Sequence, residues 1–180
     1  MKTMKTSQCT DSGRVALFPG SFDPFTRGHE SIVRRALSVF DKIVVAIVAN
    51  SEKHSMLTVE ERREMIESAF RNEPRVEVTV FSGLTATLAA NVGASCILRG
   101  VRMVKDFEYE MNIAEVNREL SGLETVLLYT LPQYSYISST IVREMVKYGQ
   151  KITHLLPEEL EPRFVEILSQ KGLGGTYGDK

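Results

Sequence analysis

The sequence predicts a single α/β domain built on an open, parallel, five-stranded sheet with helices on both faces. Three observations carry that reading. Strand-like and helix-like segments alternate along nearly the whole chain, the order that a parallel sheet with crossover helices requires. Lys42-Ile-Val-Val-Ala-Ile-Val48 is a continuous apolar run, the pattern of a parallel strand buried on both faces. Polar clusters fall after the strands, the edge on which Rossmann-like open sheets present their sites.

The first strand is Val15-Ala-Leu-Phe18. A loop marked by glycine and proline joins it to a helix in which His29, Ile32, Val33, Ala36, Leu37 and Phe40 recur at helical spacing. The apolar run 42–48 is the second strand, followed by the polar loop Asn50-Ser-Glu-Lys-His-Ser55. Thr58-Val-Glu-Glu61 has capping-box spacing, so Thr58 reads as the cap of a helix carrying Val59, Met65, Ile66, Ala69 and Phe70. Arg75-Val-Glu-Val-Thr-Val-Phe81 alternates as a third strand does. Leu84, Leu88, Ala89 and Val92 mark a short helix, and Ser95-Cys-Ile-Leu98 a fourth strand. A long helix over 106–120 follows, with Met111, Ile113 and Ala114 as packing positions, and then a fifth strand, Thr125-Val-Leu-Leu-Tyr129. Residues 138–148 and 157–169 are helical. Pro157 suits a first turn and Glu158-Glu159 the positive end of its dipole, while Pro162 marks a break or a later start. His154, just before Leu155, reads as structural.

At 180 residues, 43% hydrophobic and 25% charged, the chain has the composition of a soluble globular domain. A formal net charge of −1 offers no global basic field for nucleic acid, so any phosphate site must be local. No stretch approaches the ~20 apolar residues that span a bilayer. Cys9 and Cys96 form no metal pattern, and a reduced, cytoplasmic chain is the natural reading. Residues 1–13 read as a disordered extension without the apolar centre of a signal peptide, 14–171 as the domain, and 172–180 as a flexible tail.

Chemistry concentrates in Pro19-Gly-Ser-Phe-Asp-Pro-Phe-Thr-Arg-Gly-His29. A strand-to-helix loop places Thr26-x-Gly28-His29 where the helix opens, and a helix N-terminus offers free N–H groups and a positive dipole end to phosphate. Gly28 lets a ligand approach the backbone, and His29 adds a donor able to follow charge developing on a phosphoryl oxygen. Arg99-Gly100-Val101-Arg102, read as following the fourth strand, could aim two guanidinium groups at phosphate. The same arginines could instead pair with the acidic helix that begins at Asp106. Ile137-Ser138-Ser139-Thr140 opens another helix, where Ser138 is a cap and the hydroxyls can also cradle phosphates.

The first of these segments resembles the Thr/His-x-Gly-His signature of the nucleotidyltransferase superfamily, and within it most closely the bacterial phosphopantetheine adenylyltransferases. The likeness runs over about residues 14–168 and takes in Asp106-Phe-Glu-Tyr-Glu110 and Ile-Ser-Ser-Thr140. It departs where Ser21 replaces a common threonine and Tyr134 a common tryptophan, both conservative in chemistry. The resemblance implies transfer of an adenylyl group from ATP to 4'-phosphopantetheine, giving dephospho-coenzyme A and pyrophosphate, with Mg2+ riding on the triphosphate and no dedicated protein metal site. It implies catalytic roles for His29, Lys53 and Arg99. It places ATP against Ser21, Phe22, His29, Gly100, Val101, Arg102, Glu110, Tyr134, Ser135, Tyr136, Ile137, Ser138, Ser139 and Thr140, and the acceptor against Ser21, Lys53, Thr85 and Arg99. It further implies a homohexamer and coenzyme A as a feedback ligand. Another small nucleotidyltransferase, taking nicotinamide mononucleotide or CTP, and a non-catalytic nucleotide-binding module stay open. A dinucleotide oxidoreductase is disfavoured because no Gly-x-Gly-x-x-Gly follows the first strand.

Overall fold

The computed structural model describes residues 13–49 and 55–173. Within them run β1 (Val15–Gly20), α1 (Arg27–Ala36), β2 (Lys42–Val48), α2 (Val59–Ala69), β3 (Val76–Phe81), α3 (Thr85–Asn91), β4 (Cys96–Val101), α4 (Val104–Ser121), β5 (Thr125–Tyr129), α5 (Ser139–Lys147) and α6 (Glu161–Gln170), with 3-10 turns at Pro132–Tyr134 and Glu158–Leu160. All strand pairs are parallel, in the order β3-β2-β1-β4-β5. This is the expected α/β class, a single Rossmann-like domain.

Successive side chains point to opposite faces of the sheet, so each central strand feeds two cores. Ala16, Phe18, Ile43, Val45, Ile47 and Leu98 meet Ile32 and Val33 of α1, Met65 and Ile66 of α2, Val142 of α5 and Phe164 of α6. Leu17, Val44 and Ala46, on the other face, meet Leu88 and Ala89 of α3. β2 is buried from Ile43 to Ile47, as its unbroken apolar run requires.

The chain builds outward from β1 to β3, then crosses back to lay β4 and β5 on the other side. β1 and β4 therefore flank the point where winding reverses, and a crevice opens beyond their carboxyl ends. Their ladder is short. It pairs Ala16 with Cys96 and Leu17 with Ile97, whereas β1 pairs with β2 along its whole length.

Two strands outrun their apolar segments. β1 continues through Pro19 and Gly20, paired with Ala46 and Ile47, and β4 continues through Arg99, Gly100 and Val101, paired with Leu127, Leu128 and Tyr129. Arg99 to Val101 are thus the end of the strand rather than the loop after it, and only Arg102 follows. Backbone pairing to β5, which apolar patterning does not report, keeps the chain extended there. The helix expected from Pro157 begins with a 3-10 turn, and α6 starts at Glu161 with Pro162 in its first turn, the later of the two starts. In α4, Ile113 and Ala114 are half-buried, but Met111 is exposed, so it does not pack within the chain. His154, held by its N–H to Glu161 in a left-handed turn, is exposed and away from the crevice.

Among the described residues, no helix is long and apolar enough to cross a membrane. Cys96 is a buried thiol; Cys9 lies outside the described residues.

Candidate active site

The loop from β1 to α1 is fixed before any ligand arrives. Phe22 is buried with φ +49°, a left-handed conformation that costs a bulky residue of order 1–3 kcal/mol. Its ring lies over Gly20, where a Cβ would come within 2.7 Å of the ring carbons, so only glycine fits. Surrounding elements hold the loop by its backbone. Arg62 of α2, itself buried, donates to the Ser21 carbonyl at 2.8 Å. The buried Asp23 carboxylate accepts the N–H groups of Met56 and Leu57 at 2.9 and 2.8 Å, drawing in the approach to α2. From α5, Arg143 donates to the Asp23 carbonyl at 2.6 Å and Ser139 Oγ to the Pro24 carbonyl at 2.8 Å.

α1 opens with a capping box between Thr26 and His29. The usual Glu or Gln is replaced by histidine, whose Nδ1 lies 3.1 Å from the Thr26 backbone N–H. Because that N–H can only donate, Nδ1 accepts, and the neutral ring carries its proton on Nε2. The ring sits edge-on to Phe22 at 5.2 Å and tilted against Phe25 at 5.4 Å. Burial among these rings, then the charges of Arg102 and Arg99, lower the His29 pKa from 6.5 to about 3. His29 is therefore a neutral donor at physiological pH, not a proton source. At Gly28 an added Cβ would meet nothing closer than Thr26 Oγ1 at 3.5 Å, so the protein itself does not demand glycine there.

The opposite wall is ionic. Arg99 reaches Glu110 of α4 through Nε at 2.7 Å and Nη2 at 2.6 Å, while Nη1 donates to the Pro19 carbonyl at 2.6 Å, bridging the gap between β4 and β1. Arg102 holds Asp106 through Nε at 3.0 Å and Nη2 at 3.2 Å. Burial alone would raise the Asp106 pKa, but hydrogen bonds from the Arg102 guanidinium and backbone outweigh it and leave the carboxyl below its ordinary value. Both arginines pair with the acidic helix, the alternative that the sequence left open, and both line the cavity as well.

That cavity, of about 390 Å³, fills the crevice between β1 and β4. It brings together Ser21, Phe22, His29, Arg99, Gly100, Arg102, Glu110, Ile137, Ser138, Ser139 and Thr140. Val101 is buried behind it, Tyr134 is half-buried against the core, and Ser135 and Tyr136 lie outside its wall. Thr85 is not in the wall either. It opens α3 after β3, two strands from β1 and so roughly 10 Å across the sheet. Lys53 and His54 lie outside the described residues. Sequence reasoning passed over Thr130 and Arg143, which also line the cavity. Arg143 follows Ser139 by four residues, one helical turn, and that spacing was the available signal. Asp23 and Arg62 had none, because each acts on backbone atoms distant in sequence. The lining holds three arginines against two carboxylates, leaving a local positive charge on a chain that is slightly acidic as a whole. Among the described residues no group of acidic, histidine or cysteine side chains could hold a metal ion.

A parallel sheet with a helix N-terminus, a neutral histidine and arginines at its switch point defines a nucleotidyltransferase-type protein, and the cytidylyltransferase-like family model matches residues 17–145. Phosphopantetheine adenylyltransferase of Phocaeicola vulgatus is 49% identical over 148 residues, covering 82% of this chain and 98% of that one. The enzyme of the same name from Bacteroides thetaiotaomicron is 47% identical over 148 residues, with the same coverage. That of Caldanaerobacter subterraneus subsp. tengcongensis is 42% identical over 154 residues, covering 85% and 96%. The chain belongs to the phosphopantetheine adenylyltransferase family.

Proposed function

We propose that the protein transfers the adenylyl group of ATP to 4'-phosphopantetheine, releasing pyrophosphate and dephospho-coenzyme A, a step of coenzyme A biosynthesis. Membership of the family supports the reaction. The observation that carries the mechanism is His29, neutral and with its Nε2–H fixed, in the wall of the switch-point cavity. A phosphate oxygen of the acceptor attacks the α-phosphorus in line, a P–O bond forms, and the bond to the bridging oxygen breaks as pyrophosphate leaves. Such a reaction depends on positioning and on stabilising charge rather than on a covalent nucleophile. His29 hydrogen-bonds the α-phosphate oxygens as their charge grows. The N-terminus of α5, with Ser138, Ser139, Thr140 and Arg143, receives the β- and γ-phosphates. Gly100, Arg102, Tyr134, Ser135, Tyr136 and Ile137 flank the nucleotide, with Val101 behind them. Arg99, with Lys53 and Ser21, holds the acceptor phosphate, and Thr85 sits further along the acceptor's path.

Both cavity carboxylates are engaged by arginines, so a Mg2+ entering with ATP would be held by phosphate oxygens and water, where it balances the triphosphate charge. α4 supports self-association into the homohexamer. Val104, Phe107, Tyr109, Val116 and Leu120 are all more than two-fifths exposed, more apolar surface on one helix than a solitary chain normally leaves to water. A cytoplasmic location, residues 14–171 as the domain, and dephospho-coenzyme A or coenzyme A as product-side ligands complete the reading.

The test is pyrophosphate release from ATP and Mg2+ with a panel of phosphorylated acceptors. Fast release with 4'-phosphopantetheine and far slower release with nicotinamide mononucleotide or glycerol phosphate is expected. Turnover of the nicotinamide substrate with none of phosphopantetheine would replace the acceptor and leave the transfer mechanism standing.

A further inference from the structure

Arg62 of α2 is only 5% exposed, yet among the described residues no carboxylate forms an ion pair with it. The acids of its own helix that do pair, Glu61 and Glu64, are taken by Lys171 and Arg163. A buried charge is costly unless it is compensated, so what this guanidinium touches points to its task. It touches two backbone carbonyls. Nε donates to Thr58 at 3.2 Å, one turn back along α2, and Nη1 donates to Ser21 at 2.8 Å, in the β1–α1 loop. The first contact fixes the direction of the side chain on its own helix. The Asp23 carboxylate, gripping the Met56 and Leu57 N–H groups, ties the start of α2 to the same loop and keeps the second contact in place.

The peptide that Arg62 holds joins two residues of the cavity wall, Ser21 and Phe22. It is trans, so its carbonyl and its N–H point in opposite directions. The carbonyl is turned to Arg62, which lies outside the wall, and the Phe22 N–H is thereby turned toward the cavity. Among the described residues no protein group accepts that N–H. Such a donor on a buried residue is costly unless a ligand meets it. Donation from a cation to the carbonyl also polarises the peptide and makes its N–H a stronger donor. His29, whose ring meets that of Phe22 edge-on at 5.2 Å, is its neighbour in the same wall.

We propose that Arg62 is a positioning residue that aims and polarises the Phe22 N–H as a hydrogen-bond donor, beside His29, to the phosphate under attack. Arg62 itself touches neither substrate. The inference deepens the proposed adenylyl transfer and rests on it for the identity of the acceptor, but not for the contact between Phe22 and the nucleotide.

The test joins amide NMR of the full-length protein, labelled with 15N-phenylalanine, to steady-state kinetics of Arg62→Met and Arg62→Lys. On addition of Mg2+ and α,β-methylene-ATP, the Phe22 amide proton of the wild type should move downfield, and in Arg62→Met it should move less. Arg62→Met should lower kcat about 10-fold, less than the loss of a whole donor costs, with ATP affinity and acceptor KM changed less than about 3-fold. A merely structural role would lower urea stability and leave kcat per folded molecule alone. Arg62→Lys keeps the charge and one donor, so it should recover most of the lost kcat. A Phe22 amide that the analogue leaves unmoved would overturn the proposal. So would an unchanged kcat in Arg62→Met, an equal loss of ATP affinity, or a lysine variant as slow as the methionine one. The wild-type spectrum tests the donor by itself, so the proposal stays open to refutation even if Arg62→Met folds poorly. Wild-type protein that shows the Phe22 shift but turns over no phosphopantetheine would refute the acceptor and leave the donor standing.

Discussion

The two walls of the cavity solve the problem of receiving phosphate in opposite ways. On the β1–α1 wall no charged side chain faces the site. A left-handed Phe22, a capping histidine and a helix N-terminus are held by backbone contacts from α2 and α5. On the β4–α4 wall the groups are fully charged, but each arginine is already matched by a carboxylate. The first wall offers preset dipoles that need not rearrange when charge develops. The second offers guanidinium groups whose direction is fixed while their net charge is largely cancelled. Rate should therefore depend on His29 of the first wall, and ground-state affinity for the acceptor on Arg99 of the second.

The sharpest way to break this contrast is His29→Gln. Glutamine can still close a capping box from that position, so the helix start should survive while the ring's Nε2–H is lost. We expect kcat to fall about 10²–10³-fold with ATP affinity nearly unchanged, as for the loss of one oxyanion donor. A loss confined to ATP binding would make His29 a ground-state ligand. The same variant carries a pH signature. With the native pKa lowered from 6.5 to about 3, protons bind the unfolded chain first as pH falls. The wild type's stability relative to His29→Gln should then be greatest above pH 6.5 and shrink progressively toward pH 3, as urea titrations at several pH values would reveal.

Gly28→Ala sharpens the contrast from the other direction. The added methyl meets no atom of the protein at less than 3.5 Å, and alanine is favoured over glycine in a helix by up to about 1 kcal/mol. Tm should hold or rise while ATP binding weakens by about 10-fold, because the methyl would stand where phosphate meets the α1 N–H groups. Unchanged ATP affinity would move the phosphates away from α1.

The smallest effect belongs to Asp106→Asn. Its pair with Arg102 is partly exposed and should contribute less than about 1 kcal/mol. Because its pKa is lowered, that contribution is present above the ordinary value of 3.8 and disappears as pH falls through the native value. ATP affinity should rise slightly once Arg102 is released. A fall would assign Asp106 to nucleotide binding.

What the sequence made legible is local. The cap at Thr58, the cap at Ser138 and the strand–helix alternation all lie within a few neighbouring residues, and each appears in the fold where expected. What it hid is set by partners far along the chain. The strand character of Arg99 to Val101 comes from pairing with β5, and the fixing of the β1–α1 loop comes from Arg62, Arg143 and the grip of Asp23 on Met56 and Leu57. Thr85 was placed on the correct edge of the sheet but on the outer strand, a distance that strand order alone reveals.

The central claim is that a neutral His29 presents a fixed Nε2–H to the reacting phosphate. Long-range proton–nitrogen NMR of the imidazole rings, assigned with His29→Gln, observes that state directly. From about pH 8 down to about pH 5 the account predicts no titration of His29, an unprotonated Nδ1 and a protonated Nε2. A midpoint near the ordinary histidine value, or a proton on Nδ1, would contradict it.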